Sequence, residues 1–371
     1  MKKALIITLR LHNNYGGIIQ AYALQTVVEK YGYKVDVYNN TNNYPKFKDK
    51  FIICIKQVVK LCLGRHIDYI WPIYDSESNY RIISQHTRKF IDRYIHIRNV
   101  KDLKELEDEY DCFIAGSDQV WRPAYFGKIE NAFFDFVQCR NVKRIAYAAS
   151  FGTNKWEYNT KQTSNCQKLI KKFDAVSVRE KSGVDLCAKY FNINSVHLLD
   201  PTMLLKREDY SLLANSSGVA KSDGSLFVYV LDNNEKIIKL VNVVYKVLNL
   251  IPFSINSKYE DINAKISDRI QPPVEKWLRG FSDAEFVITD SFHACVFSIL
   301  YNKPFLVVGN KNRGMERFIS LLEDFGLMDR LISDDNCEAL LKKQIDWDYV
   351  NSRLKVRREE SLFFLEKYLK G

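Results

Sequence analysis

The stretch KALIITLRLHNNYGGIIQAYALQTVVEKYGYKVDVY, residues 3–38, decides the fold class. Lys3–Leu9 is an apolar run of strand length, Asn13-Asn14-Tyr15-Gly16-Gly17 is a turn, and Ile18–Tyr31 has the length and apolar spacing of a helix. Gly32 stops that helix, and Tyr33–Tyr38 alternates as a second strand. Strand, helix and strand in so short a span predict a βαβ unit with parallel strands. The glycines do not form G-x-G-x-x-G. Gly16 and Gly17 therefore have two readings, a phosphate-approaching turn or a tight strand-to-helix corner.

Outward from this unit the rhythm continues. Strands are expected at Asp111–Ala115, Arg144–Ala149, Ala175–Val178 and Val196–Leu199, with helices at Thr160–Phe173 and Lys181–Tyr190. A second series has strands Ser225–Leu231, Glu285–Thr289 and Pro304–Val308, with helices Glu235–Leu248, Val274–Phe281 and Phe292–Tyr301. Strands alternating with helices predict parallel sheets covered on both faces. The expected fold is α/β: two doubly wound Rossmann-like domains, residues 1–200 and 201–345, facing each other across a cleft. Residues 45–100 break the pattern as a basic, aromatic, helical insertion. Residues 346–371 form a terminal helix that can pack back on the first domain.

Composition narrows the function classes. The chain has 371 residues, 46% hydrophobic and 27% charged, the balance of a water-soluble protein. No apolar run approaches the roughly 20 residues that span a bilayer, and Ala4–Leu9 is too short for a signal sequence. The eight cysteines are scattered without a C-x-x-C pair, as expected of reduced core thiols in a cytoplasmic protein. Net charge is +10, and from Lys46 to His66 six basic residues stand against one acidic. No nucleic-acid signature accompanies this cluster. Small anions or an anionic membrane surface fit it better than nucleic acid does.

Working groups in open α/β sheets collect at the carboxyl ends of strands. Four such ends here carry polar residues: His12–Gly17, Gly116–Gln119, Arg179-Glu180 and Asp290–His293. Ser291 is a natural N-cap, which places His293 in the first turn of a helix whose free N–H groups favour an anion. The dipole there favours a neutral ring until an anion arrives, so the histidine is poised to donate a proton once substrate binds. The plainer role is a histidine satisfying a buried carbonyl. Arg179, at a strand end, has reason to face an anion. Lys311 and Arg313 can clamp phosphate or carboxylate, or stand in a solvated loop. Asp118 and Gln119 offer hydrogen bonds to sugar hydroxyls and Trp121 a flat apolar face, whereas the plainer reading makes Asp118 a buried turn cap.

At these residues the chain resembles the polysaccharide pyruvyltransferase family. The segments are NNYGGIIQAYALQ (13–25), AGSDQVW (115–121), SVREKSG (177–183), LDPTMLL (199–205), TDSFHACVFSILYNKPF (289–305) and KNRGMERFISLL (311–322). They recur in order through the chain apart from 45–100 and 206–280. The resemblance implies a fold similar to GT-B glycosyltransferases. It also implies transfer of pyruvate from phosphoenolpyruvate to a sugar hydroxyl pair as a cyclic ketal, in cell-surface or capsular polysaccharide assembly. It makes His293 the functional histidine and puts Arg179 and Lys311 near the donor. Asn14, Gly16, Gly17, Ser291 and Arg313 are the further candidates for the donor site. Asp118, Gln119 and Trp121 are left for the acceptor. One departure stands out: family branches with an arginine two residues before the histidine have their counterpart here in Ser291, and Arg313 is the first substitute. The chemistry needs one acid/base group and charge stabilisation, with no redox cofactor and no obligatory metal.

Two other classes are open. A nucleotide-sugar glycosyltransferase of this architecture often places two glutamates eight residues apart, but Glu316 and Glu323 are seven apart. A non-catalytic glycan-assembly subunit would keep the fold alone. In the insertion, Phe51, Ile52, Ile55, Val58, Val59 and Cys62 recur at spacings of three and four, with Lys48, Lys56 and Lys60 on the polar side. That pattern is either a core helix with a solvated face or an interfacial helix on an anionic leaflet. The second suits an acceptor carried on a lipid diphosphate.

Overall fold

A computed structural model describes residues 1–39, 54, 77–100, 102–138, 141–232, 235–309, 314–332 and 338–371. Apart from Cys54, the stretch 46–66 lies outside them, as do Lys311 and Arg313. The first sheet contains β1 (Lys2–Ile7), β2 (Tyr33–Tyr38), β3 (Ile97–Arg98), β4 (Cys112–Ala115), β5 (Lys143–Ala149), β6 (Ala175–Val178) and β7 (Val196–His197). Its order is β3-β2-β1-β4-β5-β6-β7, with every pair parallel. The second sheet holds β8 (Leu226–Tyr229), β9 (Pro252–Phe253), β10 (Phe286–Thr289), β11 (Phe305–Val308) and β12 (Leu331–Ile332), in the order β12-β11-β10-β8-β9, again parallel. Each order reverses once. The reversal falls between β1 and β4 in the first sheet and between β8 and β10 in the second, the two points where such sheets open a crevice.

The helices follow from local sequence. In α1 (Tyr15–Lys30) the N-cap Asn14 accepts a hydrogen bond from the Gly17 amide at 3.2 Å. The helix therefore starts at Tyr15 rather than Ile18, and Gly16 and Gly17 belong to its first turn, not to a loop. Gly32 turns the chain at φ +87°, a conformation that favours glycine. Two helices, α2 (Glu77–Ile83) and α3 (Gln85–Tyr94), lead into β3, so the end of the expected helical insertion supplies an edge strand. Next come α4 (Thr160–Ile170), α5 (Lys181–Leu186), α6 (Arg207–Ser216), α7 (Glu235–Leu248), α8 (Val274–Asp283), α9 (Phe292–Leu300), α10 (Met315–Asp324) and α11 (Trp347–Lys370). None among the described residues is long and apolar enough to cross a membrane.

The two sheets share apolar packing across their seam. One core cluster runs from Ile6 and Tyr15 through Trp277 and Phe297 to Leu365. Tyr15 of α1 stacks on Trp277 of α8 with ring centroids 5.6 Å apart, and both rings are fully buried. Each such side chain contributes about 1.5–3 kcal/mol when buried. The terminal helix α11 returns to the first sheet. There the Tyr33 hydroxyl donates to the Leu369 carbonyl (3.0 Å) and Lys143 Nζ to the Tyr368 carbonyl (3.0 Å).

Candidate active site

The two crevices meet where α1 and α9 approach. Ser291 caps α9: its Oγ accepts from the Ala294 amide at 3.5 Å, and its own amide donates to Thr289 Oγ1 at 2.9 Å. Asp290 ties the second crevice together by accepting from the amides of Leu231 (2.7 Å) and Asp232 (3.0 Å) beyond β8. The ring of His293, in the first turn of α9, lies against Gly16 so closely that a Cβ there would stand 2.0 Å from Nδ1. Only a residue without a side chain fits at position 16. His293 is 5% exposed. Its Nε2 is buried with no hydrogen-bond partner among the described residues, and Asp200 Oδ2 lies 3.5 Å away, at ion-pair reach but outside good hydrogen-bonding geometry.

Asp200 belongs to a buried charge network. Its Oδ2 accepts from Arg179 NH1 (2.7 Å) and Ser117 Oγ (3.2 Å), and its Oδ1 accepts from the amide (3.0 Å) and hydroxyl (2.7 Å) of Thr202. Arg179 NH2 donates to Asp118 Oδ1 at 3.1 Å, and its guanidinium sits 4.7 Å from the centre of the Phe292 ring. Arg317 of α10 brings NH1 within 3.7 Å of Asp118 and its guanidinium within 5.2 Å of the same ring. Glu180 accepts from the amides of Phe151 (2.7 Å) and Gly152 (3.0 Å). The network thus crosses the seam, with Asp118, Arg179 and Asp200 from one side and Phe292, His293 and Arg317 from the other.

Burial alone would raise the pKa of Asp118, but Arg179, His293 and Arg317 outweigh it and hold the carboxyl below its ordinary range. Asp200 behaves the same way: burial opposes ionisation, while His293 and Arg179 drive its carboxyl far down. Glu180 goes the other way, because burial raises it more than Arg179 lowers it. Burial and the neighbouring Arg179 lower Arg317 to about 10, so it stays protonated at neutral pH. The two guanidiniums face the carboxylates of Asp118, Asp200 and Glu180, leaving no surplus positive charge in this cluster.

This changes the expected roles. Arg179 is not a free anion anchor: its side chain is 1% exposed and its charge is matched by Asp118 and Asp200. Asp118 turns inward to Arg179 at φ +70°, a conformation that costs an ordinary residue on the order of 1–3 kcal/mol and is least unfavourable for Asn and Asp. Gln119 is buried, accepts from Arg122 NH1 at 3.2 Å, and fills the space beside Gly152. Trp121 is fully buried, stacked on Phe133 at 5.0 Å, so it offers no face to a sugar. Apolar neighbours claimed that indole because Val120, Phe133 and Phe151 surround it in the core. Glu323 pairs with Lys181 on the surface at 2.9 Å. Asn14 serves α1 as its cap.

Asp200 and Arg317 complete the cluster without having been singled out from the sequence. The signal for Asp200 was its place before Pro201, as N-cap of a short turn. Arg317 carried no such signal, because a cation in the first turn of α10 would ordinarily stand on a solvated face; only the structure shows it buried.

Among solved structures, Acinetobacter baumannii MurG matches at 8% identity and a TM-score of 0.46, covering all of both chains. A mutant O-GlcNAc transferase from Thermobaculum terrenum matches at 13% identity and 0.48, over all of this chain and 66% of that one. The UDP co-structure of S. aureus MnaA matches at 16% identity and 0.47, over 97% of this chain and 91% of that one. No curated protein matches the sequence. A sequence profile described as polysaccharide pyruvyl transferase matches residues 14–312, a span that contains Gly16, Asp118, Arg179, Asp200 and His293. The chain belongs to the polysaccharide pyruvyl transferase family.

Proposed function

We propose that this protein transfers the pyruvyl group of phosphoenolpyruvate to two hydroxyls of a sugar, forming a cyclic ketal. The observation that carries the reading is His293 Nε2, a buried ring nitrogen with no hydrogen-bond partner among the described residues and Asp200 at 3.5 Å. A buried ring nitrogen held at ion-pair distance from a carboxylate, but without a well-formed hydrogen bond, is tolerated where a ligand completes the bond.

The chemistry follows from that atom. Protonated His293, with Asp200 as its counter-charge, delivers a proton to the methylene carbon of phosphoenolpyruvate and makes C2 electrophilic. One sugar hydroxyl bonds to C2 and gives up its proton, which restores the imidazolium. The C2–O bond to phosphate breaks, the second hydroxyl closes the ring, and its proton leaves with phosphate. Arg179 holds Asp118 and Asp200 ionised and fixes the acid that faces His293. The donor's own anionic groups then require cations beyond this balanced cluster, and Lys311 and Arg313, in the segment just before α10, are proposed for that role.

The acceptor is proposed to be a glycan unit of a cell-surface polysaccharide, carried on a lipid diphosphate at the inner face of the membrane, with the basic stretch 46–66 as the contact. The test is mass spectrometry of sugar acceptors incubated with phosphoenolpyruvate, with phosphate release followed in parallel. Release that depends on His293 and yields a ketal supports the reading. Transfer of a glycosyl group from a nucleotide sugar instead would overturn it.

A further inference from the structure

A second feature of the β8–β10 reversal point is a pocket of about 660 Å³ on its β8 side, within the size range of small-ligand sites. One wall is aliphatic, built by Val230 of the β8 end and Ile237, Ile238 and Val241 of α7. The same lining holds neutral polar groups, Asn256, Ser257 and Gln271, and Asn256 Nδ2 donates to the Val230 carbonyl. Gln271 is 2% exposed and spans two structures: its Oε1 accepts from Ser257 Oγ, and its Nε2 donates to the carbonyl of Asn13 at 3.1 Å. Asn13 precedes the cap of α1, whose Gly16 abuts His293. At the other end, Asp290 bonds the amides of Leu231 and Asp232 and stands three residues before His293. The pocket is therefore tied to the reacting histidine through both of its ends.

We infer that this pocket holds the acceptor saccharide as a neutral sugar ring; the inference rests on the pyruvyl-transfer reading above. Aliphatic side chains beside amides and hydroxyls in one lining suit the C–H face and the hydroxyl edge of a pyranose. Charge separates this ligand from a nucleotide or phosphate. Lys258 is accompanied in the lining by Glu260 and Asp261, so the described lining carries no positive surplus for a diphosphate.

The experiment is saturation-transfer NMR on the full chain with methyl glycosides of glucose, galactose and mannose, N-acetylglucosamine, and UMP as the nucleotide probe. At least one glycoside receives saturation and UMP does not. Filling the aliphatic wall by Ile238→Trp, or removing an amide by Asn256→Ala, lowers that sugar's affinity by about tenfold or more, with the far-ultraviolet dichroism unchanged. Silence from every sugar, unchanged sugar affinity in both variants, or UMP binding that both variants abolish overturns the assignment. Phosphoenolpyruvate consumption, followed by phosphorus NMR, separates the two readings. Sugar binding that both variants weaken, without any consumption, leaves the pocket standing and removes pyruvyl transfer. Consumption with an acceptor KM that neither variant changes removes the pocket alone.

Discussion

Gly16 and His293 occupy one space: the histidine ring stands where any side chain at position 16 would begin, with Nδ1 2.0 Å from the place of a Cβ. Neither partner can yield cheaply, because Gly16 is in the first turn of α1 and His293 in the first turn of α9, both buried. Gly16→Ala is therefore expected to push the ring off its position and reduce turnover by about a hundredfold, since small misplacements of a reacting group cost that much. A methyl at Gly17 meets Asn14 at 3.5 Å and Asp118 at 3.7 Å, ordinary contacts, so Gly17→Ala should keep the wild-type melting temperature. Full activity in Gly16→Ala would show that the ring's position does not matter.

His293→Ala should abolish turnover, with a loss of about 10²-fold or more for a true acid/base group, while phosphoenolpyruvate still binds. The variant removes a side chain from a buried site, so its melting temperature is measured alongside. A folded variant that retains near-normal phosphate release would remove His293 from the mechanism.

Arg179 and Lys311 should respond differently to the same substitution. Arg179→Ala strands Asp118 and Asp200 in a buried site and is expected to destabilise the fold by about 3–5 kcal/mol, read by urea denaturation. Lys311→Ala and Arg313→Ala should leave stability unchanged and raise the KM for phosphoenolpyruvate. Equal stability in Arg179→Ala would contradict the ion-pair role; an unchanged donor KM in both the Lys311 and Arg313 variants would place the donor elsewhere.

Stability should fall in mild acid through two half-buried histidines. His197 Nε2 lies 3.0 Å from the Arg179 carbonyl and Nδ1 3.3 Å from Arg357 NH2, which can only donate. Nδ1 is thus the acceptor and Nε2 carries the proton. Burial first, with Arg357 adding to it against Asp324, lowers the pKa to about 4; burial and Arg10 lower His12 likewise to about 4. The unfolded chain gains protons below about pH 6.5 that the folded chain refuses, so stability is full above that pH and falls toward pH 4. His197→Gln should flatten the fall in melting temperature between these limits without removing it, because His12 remains. A slope identical to wild type would mean that His197 does not contribute.

Co-sedimentation tests the basic stretch. The chain should bind anionic vesicles at low ionic strength, with each nearby basic residue contributing about 1 kcal/mol, and binding should weaken with salt and on replacing Lys46, Lys48, Lys56 and Lys60 with Gln. Failure of the wild-type chain to co-sediment even at low salt would assign residues 46–66 to the core.

What the sequence determined by itself is the architecture and the place of the histidine. Apolar runs of strand length between amphipathic helices can be buried only in a parallel sheet covered on both sides, and periodicity is a local property that survives without knowledge of the partners. The pairing of Ser291 with the start of a helix is equally local, and so His293 could be placed at that helix end. Tertiary structure alone decided who faces whom. Trp121 reads as a flat surface for a sugar until Phe133 covers it, and Arg179 reads as a free cation until Asp118 and Asp200 close on it from 61 and 21 residues away. Arg317 and Asp200 carry no local mark strong enough to announce them. Charge neutralisation and close approach depend on distances across the seam between the two sheets, and a linear pattern holds no record of those distances.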